Sequence, residues 1–240
     1  MRLEKLLAYS GIASRRKSKE LILVGYVKVN DEVCLEPGFR VQKSDHVTYM
    51  GETVEMVENV YYLMNKPRGV VTTTSDEKNR KTVIDLLTIE DQEERVYPVG
   101  RLDHDTAGLL LLTNDGVLTQ HLTRPEFEVP KTYLARVFGL ISKEAIRQLQ
   151  KGVKLEDYTS KPAKVTLKER NHKQKTSLIE ITITEGKNHQ IKAMCSHVGF
   201  PVKSLTRIAF DNLTLAGVKR GQYRPLKLHE IKQLYAHVKK

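Results

Sequence analysis

The chain has 240 residues, 40% of them hydrophobic and 29% charged, and its 40 Lys and Arg against 29 Asp and Glu give a formal net charge of +11. This composition excludes an intrinsically disordered chain and predicts one or two globular domains. No stretch approaches the roughly 18 consecutive apolar residues of a membrane span, and the N-terminus lacks the apolar core of a secretory signal. The two cysteines lie far apart, which suits a reducing compartment, so we expect a cytoplasmic protein that does not enter a membrane.

The positive charge is unevenly distributed along the chain. Residues 1–57 carry 9 basic and 8 acidic side chains, residues 58–127 carry 8 and 12, and residues 128–240 carry 23 and 9. A segregated basic excess favours a nucleic-acid partner over charge that only improves solvation. We therefore predict basic surfaces that hold RNA or DNA on either side of a less basic segment.

The first 57 residues predict a small unit of two helices and short strands. Leu3, Leu6 and Leu7 have helical spacing, and Ser14 is suited to cap a second helix over 15–23. A hairpin is expected over 26–35, with a further strand over 45–49. The polar stretch 51–60 has the character of a linker.

The remainder of the chain alternates strand-like and helix-like segments. Strands are predicted over 61–65, 70–74, 109–113, 131–138, 163–167 and 178–184. Helices are predicted over 82–87, 116–122, 143–152 and 189–198. Because the helices do not separate the strands regularly, an α+β fold with a mainly antiparallel sheet is expected.

The segment 100–116 concentrates glycine, carboxylate and arginine residues and is the strongest candidate for a functional loop. It fits a calcium loop poorly, because Ala107 and Asn114 stand where ligands are needed. The sequence has no G-x-G motif, which argues against a phosphate-cradling loop and against a methyl-donor site of the Rossmann type. A purely structural turn capped by Asp103 remains an alternative.

Residues 1–50 resemble the alpha-L RNA-binding motif, through R-L-E-K-L-L-A-x-x-G-I-A-S-R-R followed by G-Y-V-x-V-N. The resemblance implies that the second helix contacts RNA with Arg15, Arg16 and Lys19. A solvated basic helix face is the alternative interpretation.

The segment G-R-L-D-x-D-T-x-G-L-L-L-L-T-N-D-G, at 100–116, resembles the active-site motif of the RsuA/RluB/RluE/RluF group of ribosomal RNA pseudouridine synthases. The likeness continues in N-K-P-R-G at 65–69, K-T-Y at 131–133, E-G-K-N-H-Q-I-K at 185–192 and V-G-F-P-V at 198–202. It covers nearly the whole chain. It implies an alpha-L RNA-binding domain at 1–57 and a catalytic domain at 58–240.

The resemblance implies three catalytic residues: Asp103 as the essential carboxylate, Tyr133 as the aromatic that stacks on the uracil, and Lys192 as the cation paired with Asp103. A buried carboxylate needs a nearby cation to stay ionised, and Lys192 would supply it. Tyr133 offers a flat face to a base taken out of its stack. Core packing for Tyr133 and a solvated position for Lys192 are the alternatives.

The family pattern also implies RNA contacts outside the catalytic group, from Arg101, Lys66, Lys187, Gln190 and Arg207. The reaction needs no cofactor and no metal. The 186–192 motif resembles that of the branch that modifies 16S RNA of the small subunit. We expect the substrate to be ribosomal RNA within a small-subunit assembly intermediate, and the enzyme to be a monomer. A 23S enzyme and a noncatalytic RNA-binding assembly factor are the alternatives.

Overall fold

The computed structural model describes residues 1–236 and divides them into two compact units. The first comprises residues 1–60 with 114–116, and the second comprises 61–113 and the chain from 117 onward. None of the described helices has the length and apolar character needed to cross a membrane.

The first unit contains two helices and a four-stranded antiparallel sheet in the order β2-β1-β3-β4. Its elements are α1 (Leu3–Tyr9), α2 (Arg15–Leu23), β1 (Val27–Val29), β2 (Glu32–Val33), β3 (Val47–Tyr49) and β4 (Glu52–Thr53). Ser14 caps α2 by accepting a hydrogen bond from the Lys17 backbone amide, as its sequence position predicts. Leu3, Leu7 and Ile22 are fully buried and form the centre of a small core.

The second unit is built on a nine-stranded sheet in which β13-β5-β7-β11-β8-β10-β9 form the main order. Its strands are β5 (Tyr61–Lys66), β6 (Tyr97–Pro98), β7 (Ala107–Thr113), β8 (Lys131–Phe138), β9 (Lys164–Asn171), β10 (Thr176–Ile183), β11 (Val202–Phe210), β12 (Leu213–Thr214) and β13 (Tyr223–Pro225). Its helices are α3 (Ile89–Glu93), α4 (Gly116–Thr123), α5 (Lys143–Lys151), α6 (Gln190–His197) and α7 (Leu228–Ala236), with 3-10 turns at Ile84–Leu86 and Pro125–Phe127. All strand pairs are antiparallel except β7 with β11. The predicted α+β class with a mainly antiparallel sheet is confirmed.

Two predicted elements of this unit are wrong. Residues 70–74 form an isolated bridge from Val71 to Thr82, followed by bends at 72–74, instead of a strand. Val71 donates its amide to the Lys81 carbonyl, and the Thr72 hydroxyl donates to the Leu102 carbonyl. Residues 82–87 form only the short 3-10 turn, because the Asp85 carboxylate accepts from both the amide and the hydroxyl of Thr82.

Gly108 allows β7 and β11 to approach in parallel. It pairs with Arg207, has a φ of +114°, and a Cβ at this position would lie 2.1 Å from the Arg207 carbonyl oxygen. No side chain fits without moving one of the two strands, and the backbone conformation itself disfavours any residue other than glycine. The candidate functional loop therefore joins the sheet at a position where only glycine fits.

We predict that Gly108→Ala lowers the free energy of unfolding by about 3 kcal/mol, because it combines backbone strain with overpacking. Gly217→Ala is the matched control: its φ of +77° is also left-handed, but nothing lies within 4 Å of its added Cβ. The control should lose only about 1 kcal/mol. Urea unfolding of both variants, followed by circular dichroism, measures the difference, and equal losses would contradict the role of strand approach.

Candidate active site

The candidate loop, residues 101–106, lies immediately before β7. Lys66, at the end of β5, supports the loop backbone by hydrogen bonds. The Lys66 side chain is fully buried, and its Nζ donates to the carbonyl oxygens of Pro67, Asp103 and Thr106 at 3.0, 3.1 and 2.9 Å. Burial lowers the Lys66 pKa to about 8, although the nearby Asp103 and Asp105 carboxylates oppose this shift. Lys66 therefore fixes the backbone on both sides of the loop's tip.

Three further hydrogen bonds position the same loop. The Gly69 amide donates to the His104 carbonyl at 2.8 Å, Arg68 Nε donates to the Asp105 carbonyl at 2.8 Å, and the Thr72 hydroxyl donates to the Leu102 carbonyl at 2.7 Å. Successive carbonyls of the loop are thus engaged by the segment that follows β5. Such a network leaves the side chains of the loop free to project from a fixed backbone.

Lys192, in the first turn of α6, bridges two carboxylates of the loop. Its Nζ lies 2.7 Å from Asp103 Oδ2 and 2.6 Å from Asp105 Oδ1, while His189 Nε2 lies 3.5 Å from the other oxygen of Asp103. Partial burial disfavours the charge of Lys192, but its hydrogen bonds to the two carboxylates outweigh this effect and raise the Lys192 pKa. The Asp103 side chain is 28% exposed, so a substrate can reach it while its partner stays charged.

A cleft opens beside this group of charges and contains about 740 Å³ of space, part of it open to solvent. Asp103, Lys192 and Tyr133 all contribute to its lining. Tyr133 lies on β8, is 8% exposed, and therefore combines a packed position with a surface on the cleft. The three side chains predicted to be catalytic are brought together around one cavity.

Three of the residues predicted to contact RNA are enclosed instead. Lys66 is fully buried, Gln190 is 3% exposed and bonded to Glu185, and Arg207 is 2% exposed with its Nε donating to the Leu109 carbonyl at 2.7 Å. The Lys66 ammonium is directed to three carbonyl oxygens of the protein, and this position argues against a direct contact of Lys66 with RNA. Gln190 lines the cleft, so its contact with RNA stays a prediction. Arg207 is also removed from the outer surface, but it lines the cleft.

The remaining predicted RNA contacts are accessible in the structure. Arg101 and Lys187 are exposed at the cleft, and the Lys187 ammonium lies 3.7 Å from the centre of the Tyr158 ring. On α2 of the first unit, Arg15, Arg16 and Lys19 are all exposed, although Arg15 is also bonded to the buried Glu4 at 3.0 Å. Exposure permits these contacts without testing them.

Sequence reasoning left four residues of the site without a role: Arg68, Asp105, Lys131 and His189. Arg68 and Asp105 belong to motifs quoted above, and the D-x-D spacing was a signal that two carboxylates project from one short loop. No sequence signal indicates that both carboxylates share Lys192, because α6 and the loop are 87 residues apart in the chain.

We predict that Lys66→Met destabilises the protein by about 2 kcal/mol, because the carbonyl oxygens of Pro67, Asp103 and Thr106 lose their bond to Nζ and only that of Asp103 also accepts from a backbone amide, that of Thr106. The activity expected from the family resemblance should fall while the affinity for RNA stays close to that of the wild type, because the buried Nζ cannot reach the substrate. Thermal unfolding and filter binding measure the two effects. A large loss of RNA affinity in a stably folded variant would restore Lys66 as an RNA contact.

Comparison with known proteins identifies the family of each of the two regions. Residues 60–197 match the RNA pseudouridylate synthase family, and residues 1–47 match the S4 domain. The chain belongs to the RNA pseudouridylate synthase family, and it is an enzyme of the pseudouridine synthase class with an N-terminal S4 domain. The S4 match falls on the region predicted to be an alpha-L RNA-binding motif, so both predicted resemblances are confirmed.

Individual relatives extend over nearly the full chain. The chain is 45% identical over 235 residues to the ribosomal large subunit pseudouridine synthase B of Bacillus subtilis, covering 98% of this chain and 96% of the relative. An uncharacterized RNA pseudouridine synthase of Aquifex aeolicus is 39% identical over 99% of this chain and 95% of its own length. A crystal structure of a pseudouridylate synthase has a TM-score of 0.69 at 29% identity, over 98% of this chain and 99% of that one.

Proposed function

We propose that this enzyme converts one uridine of ribosomal RNA to pseudouridine, with Asp103 as the catalytic carboxylate. The observation that carries the proposal is the Asp103 side chain at the cleft, partly exposed and 2.7 Å from the Lys192 ammonium. A carboxylate that is accessible, paired with a cation and mounted on a rigid loop suits attack on a bound substrate.

The reaction breaks the bond between ribose C1′ and uracil N1, turns the base, and joins C1′ to C5. Asp103 acts in one of three ways. It attacks C1′ of the sugar, it removes a proton next to C1′, or it adds to the base. Lys192 pairs with this carboxylate and fixes its direction. Tyr133 holds the detached base by stacking, so that the ring turns within the cleft without escaping. No atom is gained or lost, so Asp103 is regenerated and no cofactor is consumed.

Two observations disagree on which ribosomal subunit contains the substrate RNA. The sequence of the 186–192 motif favours small-subunit RNA, whereas the 45% identity to a large-subunit synthase extends over 98% of the chain. We give more weight to similarity over the whole chain than to one short motif, and propose large-subunit RNA as the substrate. Small-subunit RNA remains the alternative that the experiment below distinguishes.

We assign RNA binding to residues 1–57 and catalysis to residues 58–240. Arg15, Arg16 and Lys19 on α2 would bind phosphates, with Arg101 and Lys187 guiding the substrate strand at the cleft. This role is supported by their exposure and by the S4 match.

Changing Arg16 and Lys19 together to glutamine should weaken RNA binding and reduce the slope of log affinity against log salt by about 1.4, because contacts with single-stranded RNA contribute about 0.7 each. The rate at saturating RNA should not change. Binding titrations between low and high salt measure the slope, and an unaltered slope would contradict the assignment.

The substrate is identified by incubating the enzyme separately with 16S RNA, 23S RNA and partly assembled particles of each subunit, and then mapping pseudouridine by carbodiimide modification and primer extension. One new pseudouridine in 23S RNA or its particle is expected. Modification of 16S RNA alone would overturn the subunit assignment. No modification of any substrate, with RNA binding retained, would favour the noncatalytic assembly factor and overturn the proposal.

A further inference from the structure

One wall of the cleft carries two cations that the proposed mechanism does not use. Arg207 on β11 is the register partner of Tyr133 on β8, and Lys131 on β8 is the partner of Phe210 on β11. All four residues line the cleft that contains Asp103. The Phe210 ring is flanked by both cations, with Lys131 Nζ at 5.6 Å and Arg207 Cζ at 5.1 Å from its centre.

The Arg207 side chain has a buried hydrogen-bond donor without an acceptor. Its side chain is 2% exposed, its Nε donates to the Leu109 carbonyl, and its Nη2 is buried with no hydrogen-bond partner. Within the described residues 1–236, no carboxylate forms an ion pair with it. A buried guanidinium that lacks both a counter-charge and a full set of acceptors is costly, and this cost is reduced when a ligand supplies them.

Lys131 adds a second positive charge in the same environment. Its Nζ donates to the Val129 carbonyl at 2.8 Å, and no salt bridge involves it in the part of the chain that the structure describes. Burial, together with the neighbouring charge of Arg207, lowers the Lys131 pKa to about 8. A nearby anion would have the opposite effect, so the protein itself does not neutralise this pair.

We propose that Arg207 and Lys131 form a subsite for the uracil ring of the target nucleotide and stabilise the negative charge that the ring carries while it is detached from the ribose. The inference rests on the proposed function and deepens it. When the C1′–N1 bond breaks, its electron pair stays with the uracil and spreads over N1, O2 and O4. The negative charge disappears as C5 bonds to C1′, C5 loses its proton and N1 gains one. The two cations therefore act only while the uracil ring is detached from the ribose.

The base is favoured over a phosphate group by where the cations lie. Arg207 is almost completely enclosed and is the neighbour of Tyr133, on whose ring the base is proposed to lie. A phosphodiester remains with the exposed backbone of the RNA, where Arg101 and Lys187 are accessible. Arg207, with the half-buried Lys131 beside it, therefore faces the part of the nucleotide that enters the cleft.

The test measures binding with an RNA whose target uridine is replaced by 5-nitrouridine. At pH 8 this ring is anionic and its charge resides partly on O2 and O4, whereas the uridine ring is neutral. Wild-type enzyme should bind the 5-nitrouridine RNA about tenfold or more tightly than the uridine RNA, as for hydrogen bonds to a charged group. Arg207→Gln should abolish this preference, while Arg207→Lys should retain part of it.

Lys131→Gln provides a second variant, in case Arg207→Gln disturbs the junction of β7 and β11. It should reduce the same preference. Lys203→Gln is the matched control, since Lys203 is exposed on the same strand as Arg207 and does not line the cleft. It removes one positive charge and should leave the preference intact.

Equal affinity of the wild type for both RNAs would overturn the subsite, as would an unchanged preference in folded Arg207→Gln and Lys131→Gln. Equal weakening of both RNAs by these variants would assign the cations to a phosphate and also overturn it. A wild-type enzyme that forms pseudouridine but shows no preference refutes only the subsite. A wild type that forms no pseudouridine in any substrate refutes the proposed function.

Discussion

Asp103→Asn is expected to lower the rate of pseudouridine formation by about 1,000-fold or more, while folding and RNA affinity stay close to those of the wild type. Asparagine has nearly the same shape, and the hydrogen bond from Lys66 to the residue 103 carbonyl does not depend on the side chain. The amide cannot act as a nucleophile or accept a proton, so the loss falls on the chemical step. Single-turnover rates at saturating RNA isolate that step from binding.

Asp105→Asn is the comparison variant for this prediction, because Asp105 contacts the same ammonium at 2.6 Å but is much more exposed, at 63%. We expect a reduction of about tenfold or less, since Lys192 keeps its bond to Asp103. If Asp103→Asn retained activity within about tenfold of the wild type, or if Asp105→Asn had the larger effect, the assignment of the catalytic carboxylate would be wrong.

Lys192→Met is expected to reduce kcat by about 100-fold with little change in RNA affinity. The substitution keeps the length of the side chain but removes the only ammonium that bonds to both loop carboxylates among the described residues. The two carboxylates would then repel each other without a cation between them. Steady-state kinetics at varied RNA concentration separate kcat from KM.

Lys192→Arg should recover a large part of the activity lost in Lys192→Met, because the positive charge is restored with altered geometry. Lys173→Met is the charge-matched control, in an exposed turn between β9 and β10, and should retain wild-type kcat. A defect confined to KM in Lys192→Met would make this residue an RNA contact instead of the partner of Asp103.

Local signals predicted much of the fold. Ser14 caps α2 where expected, and the strand predicted over 131–138 coincides with β8. The prediction failed where tertiary contacts override local preference, as at 70–74, where Val71 bonds to Lys81 and Thr72 bonds to Leu102. It also missed β11 as a strand, because Arg207 and other polar residues interrupt the apolar pattern of a segment that lies between two strands.

In the candidate site, too, local motifs predict some features, whereas others depend on tertiary contacts. The D-x-D loop, Tyr133 and Lys192 were found from motifs, and the structure brings them to one cleft. The family motifs predict RNA contacts for Lys66, Gln190 and Arg207 without indicating that all three residues are almost completely enclosed. Their burial follows from acceptors supplied by other segments, such as the Leu109 carbonyl for Arg207, and such pairings cannot be deduced from the residue types alone.

The most direct test of the account follows the hydrogen at C5 of uridine. Ribosomal RNA labelled with tritium at C5 is incubated with the wild-type enzyme and with Asp103→Asn, and the tritium released into water is counted per RNA molecule. The account predicts release approaching one equivalent per RNA with the wild type and release at background with the variant. Equal release by both proteins, or no release by a wild-type enzyme that binds the RNA and its ribosomal particles, would contradict it.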